Sequence, residues 1–244
     1  MTLLQLTDVT RSFGGTTAVD RCSFSVGAGS LTGLIGPNGA GKTTVFNLIT
    51  GFVKPDAGAI ELSGRKLHGL RPHRIARLGL SRTFQITREL KELTVLENVV
   101  VHARTRGWRD LWQNSVRDVE RERAMMLLEQ VGLARLAEAP ARTLSFGQRK
   151  LLELAAALMP EPTIILLDEP AAGVNPALLE TIVAYIRKLN AAGVTFLIVE
   201  HNMDLVMSLC DPIIVMAHGT VLAQGPRDHI QGNDQVLEAY LGGA

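Results

Sequence analysis

Two cysteines in 244 residues, Cys22 and Cys210, stand too far apart for metal-type spacing and are too few for a disulfide framework. They read as free, packed thiols of a reducing compartment. Long apolar runs are also missing: Leu154 to Met159 and Ile164 to Leu167 fall well short of the ~18 residues that cross a bilayer. Any membrane role must therefore come through partner proteins. The opening Met-Thr-Leu-Leu-Gln-Leu-Thr-Asp has neither a basic nor an apolar region of the kind a secretory signal needs, so no such signal is expected. Neither sign of charge prevails. With a net charge of +1 at pH 7 and 20% charged residues, nothing demands nucleic acid or an anionic membrane surface. Long internal repeats and low-complexity linkers are absent. The length suits one large domain or two intimately packed subdomains.

What the chain does contain is GPNGAGKTT, Gly36 to Thr44, between the apolar run Leu31 to Ile35 and a helical pattern from Val45 to Ile49. This matches G-x-x-x-x-G-K-[ST] in its strand-to-helix setting. Gly36, Gly39 and Gly41 let the backbone wrap an anion so that successive N–H groups and the helix dipole face phosphate oxygens. Lys42 adds a point charge, and the Thr43 hydroxyl is placed to ligate Mg²⁺.

Around this loop, Leu3 to Val9 and Cys22 to Val26 alternate as half-buried strands, and Ala59 to Gly64 continues an antiparallel β layer. Phe13, between the first two strands, is either a stacking ring for a base or an ordinary core anchor. The basic stretch Arg71 to Arg77 reads as a solvated helix face. Leu80 to Phe84 looks like a strand that delivers Gln85 to a crevice edge. From about Leu93 the pattern becomes helical, with Gly132 a C-terminal cap. Ser145 then heads a second helix N-terminus in LSFGQRK, a possible second phosphate site that is weak on its own. Thr163 to Leu167 is a buried strand ending in Asp168-Glu169, two carboxylates that need partners, which Mg²⁺ and a nucleophilic water would supply. Asn175-Pro176 opens a helix to about Asn190. Val194 to Val199 is another buried strand, ending in Glu200-His201. Pro212 to Met216, a turn at Gly219, Val221 to Gln224 and an amphipathic tail around Val236 to Leu241 complete the chain.

These motifs in this order resemble the ATP-binding subunit of ABC transporters over essentially the whole length. The strings RTFQ, LSFGQRKLLELAAAL, DEPAAGVNP and EHNMDLVMSLCD resemble the branched-chain amino-acid importer subfamily in particular. Lipopolysaccharide-export and urea or amide uptake ATPases are the nearest alternatives. The resemblance implies an α/β P-loop NTPase of the ABC type, with a mixed sheet core, an antiparallel β subdomain and an inserted helical subdomain. Within one domain spanning 1–244, the core with its β layer would cover approximately 1–88 and 160–244, and the helical part approximately 89–159. The resemblance also implies that nucleotide is held by Phe13, by the Walker A residues Gly36, Pro37, Asn38, Gly39, Ala40, Gly41, Lys42, Thr43 and Thr44, and by Ser145, Gly147 and Gln148 of a second copy. Thr43, Gln85 and Asp168 would hold Mg²⁺, and Glu169, His201, Gln85 and Lys42 would act in hydrolysis of ATP. Implied partners are transmembrane permease subunits, an identical or related second cassette and, indirectly, a solute-binding protein, at the cytoplasmic face of the cell membrane, with no nucleic acid. Phe146, where glycine is usual, is expected to point aside, and Asn175 stands where aspartate is commoner. A chromosome-organising ATPase with the same head would need a long coiled coil between the loop and LSFGQ, and this interval has no sustained heptads.

Overall fold

The computed structural model describes residues 1–83, 90–103 and 117–241, so Phe84, Gln85 and Val116 lie outside the described residues. A six-stranded sheet at the centre has the order β10-β9-β3-β8-β7-β6. Its strands are β3 (Leu31–Ile35), β6 (Leu80–Arg82), β7 (Ile164–Asp168), β8 (Thr195–Val199), β9 (Ile213–Ala217) and β10 (Thr220–Gly225). All neighbours pair in parallel except β9 and β10. The strands are continuously apolar because both faces are covered. Ile165, Leu167, Phe196, Ile198, Ile213 and Val215 enter one core, and Ile164, Leu166, Leu197, Val199, Ile214 and Met216 enter the other.

The second of these cores is closed by an antiparallel sheet of order β2-β1-β4-β5 and by α1 (Lys42–Ile49). Here β1 (Thr2–Phe13) and β2 (Thr16–Gly27) form a hairpin longer than their alternating stretches predict, its register broken by bulges. Strands β4 (Ala57–Leu62) and β5 (Arg65–Lys66) complete this layer. In α2 (Pro72–Arg77) only Ile75 is buried and the cations face solvent, as a solvated helix face should.

The first core receives α3 (Val95–Val100), α4 (Asp118–Gln130), α5 (Phe146–Leu158), α6 (Pro176–Ala191) and α7 (Met203–Leu209). Their starts are set locally. Thr94 and Glu97 form a capping box on α3, Ser145 and Gln148 one on α5, and the Asn175 side chain accepts from Leu178 N ahead of Pro176 on α6. Gly132, at φ 75°, supplies the left-handed step after α4. The short α8 (Arg227–Gln231) and α9 (Asp234–Leu241) place Ile230 and Val236 in the same core. Cys22 and Cys210 are buried free thiols, each pushed up to about 12 by burial, with the Glu200 charge adding to the effect on Cys210. Among the described residues no helix is long and apolar enough to cross a membrane.

Candidate functional site

Three parallel strands, β3, β7 and β8, deliver their polar sequels to one edge of the sheet, where an open α/β fold places ligands. After β3 the chain turns through Gly36 at φ 151°, Gly39 at φ 81° and Gly41 at φ 97°, and α1 begins at Lys42. At Gly36 a side chain is excluded twice over: the φ is left-handed, and a Cβ would run into the Met216 carbonyl. A cleft of about 260 Å³ opens here, lined by Ala18, Asn38, Gly39, Ala40, Gly41, Lys42, Thr43, Thr44, Glu169, Val199 and His201. Buried Lys42 curls back so that Nζ donates to Gly36 O at 2.6 Å and Pro37 O at 3.0 Å. Burial pulls its ammonium below the usual range, against the opposing fields of Glu169 and Asp168. A buried cation whose hydrogen bonds among the described residues go to neutral carbonyls, in a cleft of this size, can meet an anion at little extra desolvation cost.

Glu169, in the left-handed region at φ 50°, extends Oε1 to within 3.1 Å of His201 Nε2. The sheet thus brings together a carboxylate and an imidazole that are far apart in sequence. Asp168, 5% exposed, has a partner that sequence reasoning missed: Arg82 Nη2 donates to Oδ2 at 2.9 Å. The same guanidinium donates through Nη1 to Asn47 Oδ1 of α1 at 2.7 Å and lies 5.5 Å from the Phe46 ring centroid. Mg²⁺ and a nucleophilic water are the partners expected for the carboxylates, and the guanidinium is a further one that already holds one oxygen of Asp168. The available signal was a lone cation in the middle of the strand-like stretch Leu80 to Phe84 that leads to Gln85. Asp168 Oδ1 makes no hydrogen bond among the described residues, so one acceptor is left for a hard cation that keeps most of its water. Glu200 also went unassigned, although it directly precedes His201; both of its oxygens accept backbone N–H groups of the flanking loops.

Phe13 ends β1 with 44% exposure and enters neither core, so the core-anchor alternative fails. The Arg11 guanidinium, paired with Asp56, sits 4.6 Å from its ring centroid. Ser145, Gly147 and Gln148 do not line the cleft of their own chain. Ser145 Oγ accepts from Gln148 N at 3.3 Å and Gln148 Oε1 from Ser145 N at 2.9 Å. A Cβ on Gly147 would collide with Leu178 of α6. Phe146 turns onto the loop after Glu169, with its ring against Gly173. Gln85 lies outside the described residues. Of the apolar residues that follow it, Val95, Leu96 and Val99 belong to the first core, Leu93 is half-buried, and Leu90 is 50% exposed.

A glycine-rich anion loop around a buried lysine, with carboxylates at the ends of neighbouring parallel strands, defines a P-loop nucleoside-triphosphatase. Residues 19–172 match the family model described as ABC transporter. The chain is 43% identical over 251 residues to the high-affinity branched-chain amino acid transport ATP-binding protein BraF of Pseudomonas aeruginosa, covering 99% of this chain and 98% of that one. It is 41% identical over 253 residues to LivG of Escherichia coli, at the same coverage. Among solved structures, an ATP-binding cassette of an ABC transporter in its ADP conformation superposes with a TM-score of 0.88 at 36% identity, covering 99% of each chain. A dimeric bacterial ABC transporter cassette does so with 0.80 at 26% identity, over 92% of this chain and 99% of that one. This chain belongs to the ABC transporter family as its ATP-binding cassette, and it is an ATPase.

Proposed function

We propose that this ATPase powers an importer for branched-chain or related amino acids. On this reading it works at the cytoplasmic face of a membrane beside permease subunits that a solute-binding protein feeds. The importer assignment is supported by identity over nearly the full length to two ATP-binding proteins of branched-chain amino acid transport. The observation that carries the chemistry is the 3.1 Å contact between Glu169 and His201 at the cleft that holds Lys42.

Phosphates of ATP would replace the loop carbonyls as partners of Lys42 and meet the N–H groups of residues 38–44, while Phe13 stacks on the base. Thr43 and Asp168, with Gln85, would hold Mg²⁺, which when bound offsets charge on the β and γ phosphates. Glu169 polarises the attacking water and takes its proton, and His201 contacts the γ-phosphate and keeps Glu169 oriented. Ser145, Gly147 and Gln148 of a second cassette cover the γ-phosphate from the opposite side. That arrangement is supported by their position outside the cleft of their own chain. Leu90, exposed just ahead of α3, supports a docking place for a permease segment.

Glu169→Gln is expected to slow phosphate release from MgATP by about 10²-fold or more, the size typical of a lost general base, with ATP affinity nearly unchanged. Hydrolysis at the parent rate removes Glu169 from this role. The cargo assignment is tested by uptake of radiolabelled leucine, isoleucine and valine in cells lacking the chain. Retained uptake of all three, with loss of another solute, overturns it.

A further inference from the structure

The parallel ladder between β7 and β8 reaches Asp168 opposite Val199, and one further rung follows as Glu169 N donates to Val199 O at 2.9 Å. The ladder cannot continue by backbone alone, because residue 170 is proline and has no N–H. A side chain takes over. Glu200 Oε1 accepts from Ala171 N at 2.7 Å, while Oε2 accepts from His201 N at 3.1 Å and, at longer range, from Asn202 N at 3.4 Å. Glu200 is 4% exposed, so these amides stand in for water around its carboxylate. One buried carboxylate is therefore bonded to the loop that carries Glu169 and to the loop that carries His201, whose side chains meet at 3.1 Å.

We propose that Glu200 is a positioning residue for ATP hydrolysis: it fixes the Glu169–His201 pair by binding backbone amides of both loops at once. The proposal deepens the hydrolytic reading above and rests on it. A carboxylate is needed because all three donors converge on two acceptor oxygens. Glutamine has the same size, but whichever way its amide turns, an NH₂ group faces a backbone N–H. The conflict falls on the Ala171 side or on the His201 side. The first frees the Glu169 loop from residue 200, the second loosens the turn that sets His201, and small displacements of reacting groups are costly in rate.

The test compares Glu200→Gln with the parent full-length chain, both folded by circular dichroism at the assay temperature. The expected result is a fall in kcat of about tenfold or more with KM for MgATP within about twofold, the pattern of a group that matters in the transition state and not in nucleotide binding. In the nucleotide-free chain, the imidazole NMR signals of His201, assigned by their loss in His201→Asn, are expected to move. Glu200→Asp keeps both acceptors on an arm one methylene shorter, cannot span the two loops, and is expected to give the same split; it serves if the glutamine variant fails to fold. Unchanged kcat with unmoved His201 signals overturns the proposal even if the melting temperature falls, and so does a raised KM at unchanged kcat. Absence of hydrolysis by the parent chain overturns the hydrolytic reading instead, and the His201 signals then decide the role of Glu200.

Discussion

Arg82 is the residue whose importance could least be read from the sequence. A cation in a chain with 25 Lys and Arg is unremarkable, and only folding brings β6 beside β7 so that its guanidinium meets Asp168. Motif reasoning located Asp168 correctly at a strand end but could name only water and metal as partners, since side chains 86 positions apart share no pattern. The pair is almost fully buried, with side-chain exposures of 7% and 6%. Removing one member of such a pair leaves an uncompensated charge, which costs about 3–5 kcal/mol. Arg82→Met is therefore expected to lower the unfolding free energy by about that amount in urea titration. Arg82→Lys retains the charge but not the planar fork that reaches Asp168 and Asn47 together, so it should fall between. A methionine variant as stable as the parent shows that the pair contributes no net stability.

At the level of elements, strands and helices were legible wherever a periodic pattern or a cap stood in the sequence. The runs at β7 and β8 are uniformly apolar because two cores cover them, and Ser145 and Asn175 cap the helices they precede. Less legible was how α3 is tied to the segment ahead of it. Asn98 is buried within α3, where its Oδ1 accepts from Leu90 N at 2.7 Å and its Nδ2 donates to the carbonyls of Leu90 and Thr94 at 3.0 and 2.9 Å. An asparagine inside a helical pattern reads as a poor helix former, and its tertiary partners are invisible to periodicity. Neighbouring positions should then answer differently to substitution. Asn98→Ala strands part-buried backbone groups and is expected to cost about 1 kcal/mol in chemical denaturation. Leu90→Glu, at an exposed site, should change stability by no more than about 0.5 kcal/mol and leave hydrolysis by the isolated chain intact, yet abolish transport in membranes with the permease subunits. Loss of folding by Leu90→Glu indicates that the residue serves the core instead.

On the scale of the whole molecule, the proposed second cassette would make the cleft a half-site. Ala18 apart, its lining comes from the loop after β3, the start of α1 and the ends of β7 and β8 of one chain, whereas the start of α5, with Ser145 exposed, does not line it and carries Phe146 against Gly173. The loop and the strand-end carboxylates were legible because each is a local motif. That the start of α5 stands outside the cleft is a tertiary outcome: Gly147 lies against the Leu178 side chain of α6, and no local pattern reports that contact. If two copies complete each other head to tail, a defect in the loop of one copy and a defect in the signature of the other fall in the same composite site, and the second site is left whole. In the Glu169→Gln background, Ser145→Arg alone and Lys42→Ala alone should each remain monomeric with ATP in size-exclusion chromatography, while an equimolar mixture of the two forms a heterodimer that retains one ATP. The Ser145 change also removes a helix cap worth about 1 kcal/mol, so its melting temperature is measured in parallel and a drop of a few degrees is expected. A mixture that stays monomeric, with both proteins folded and the Ser145→Arg chain still binding ATP, rules out sharing of the nucleotide between copies, because only a site built from one chain fails to be rescued by a partner carrying the opposite defect.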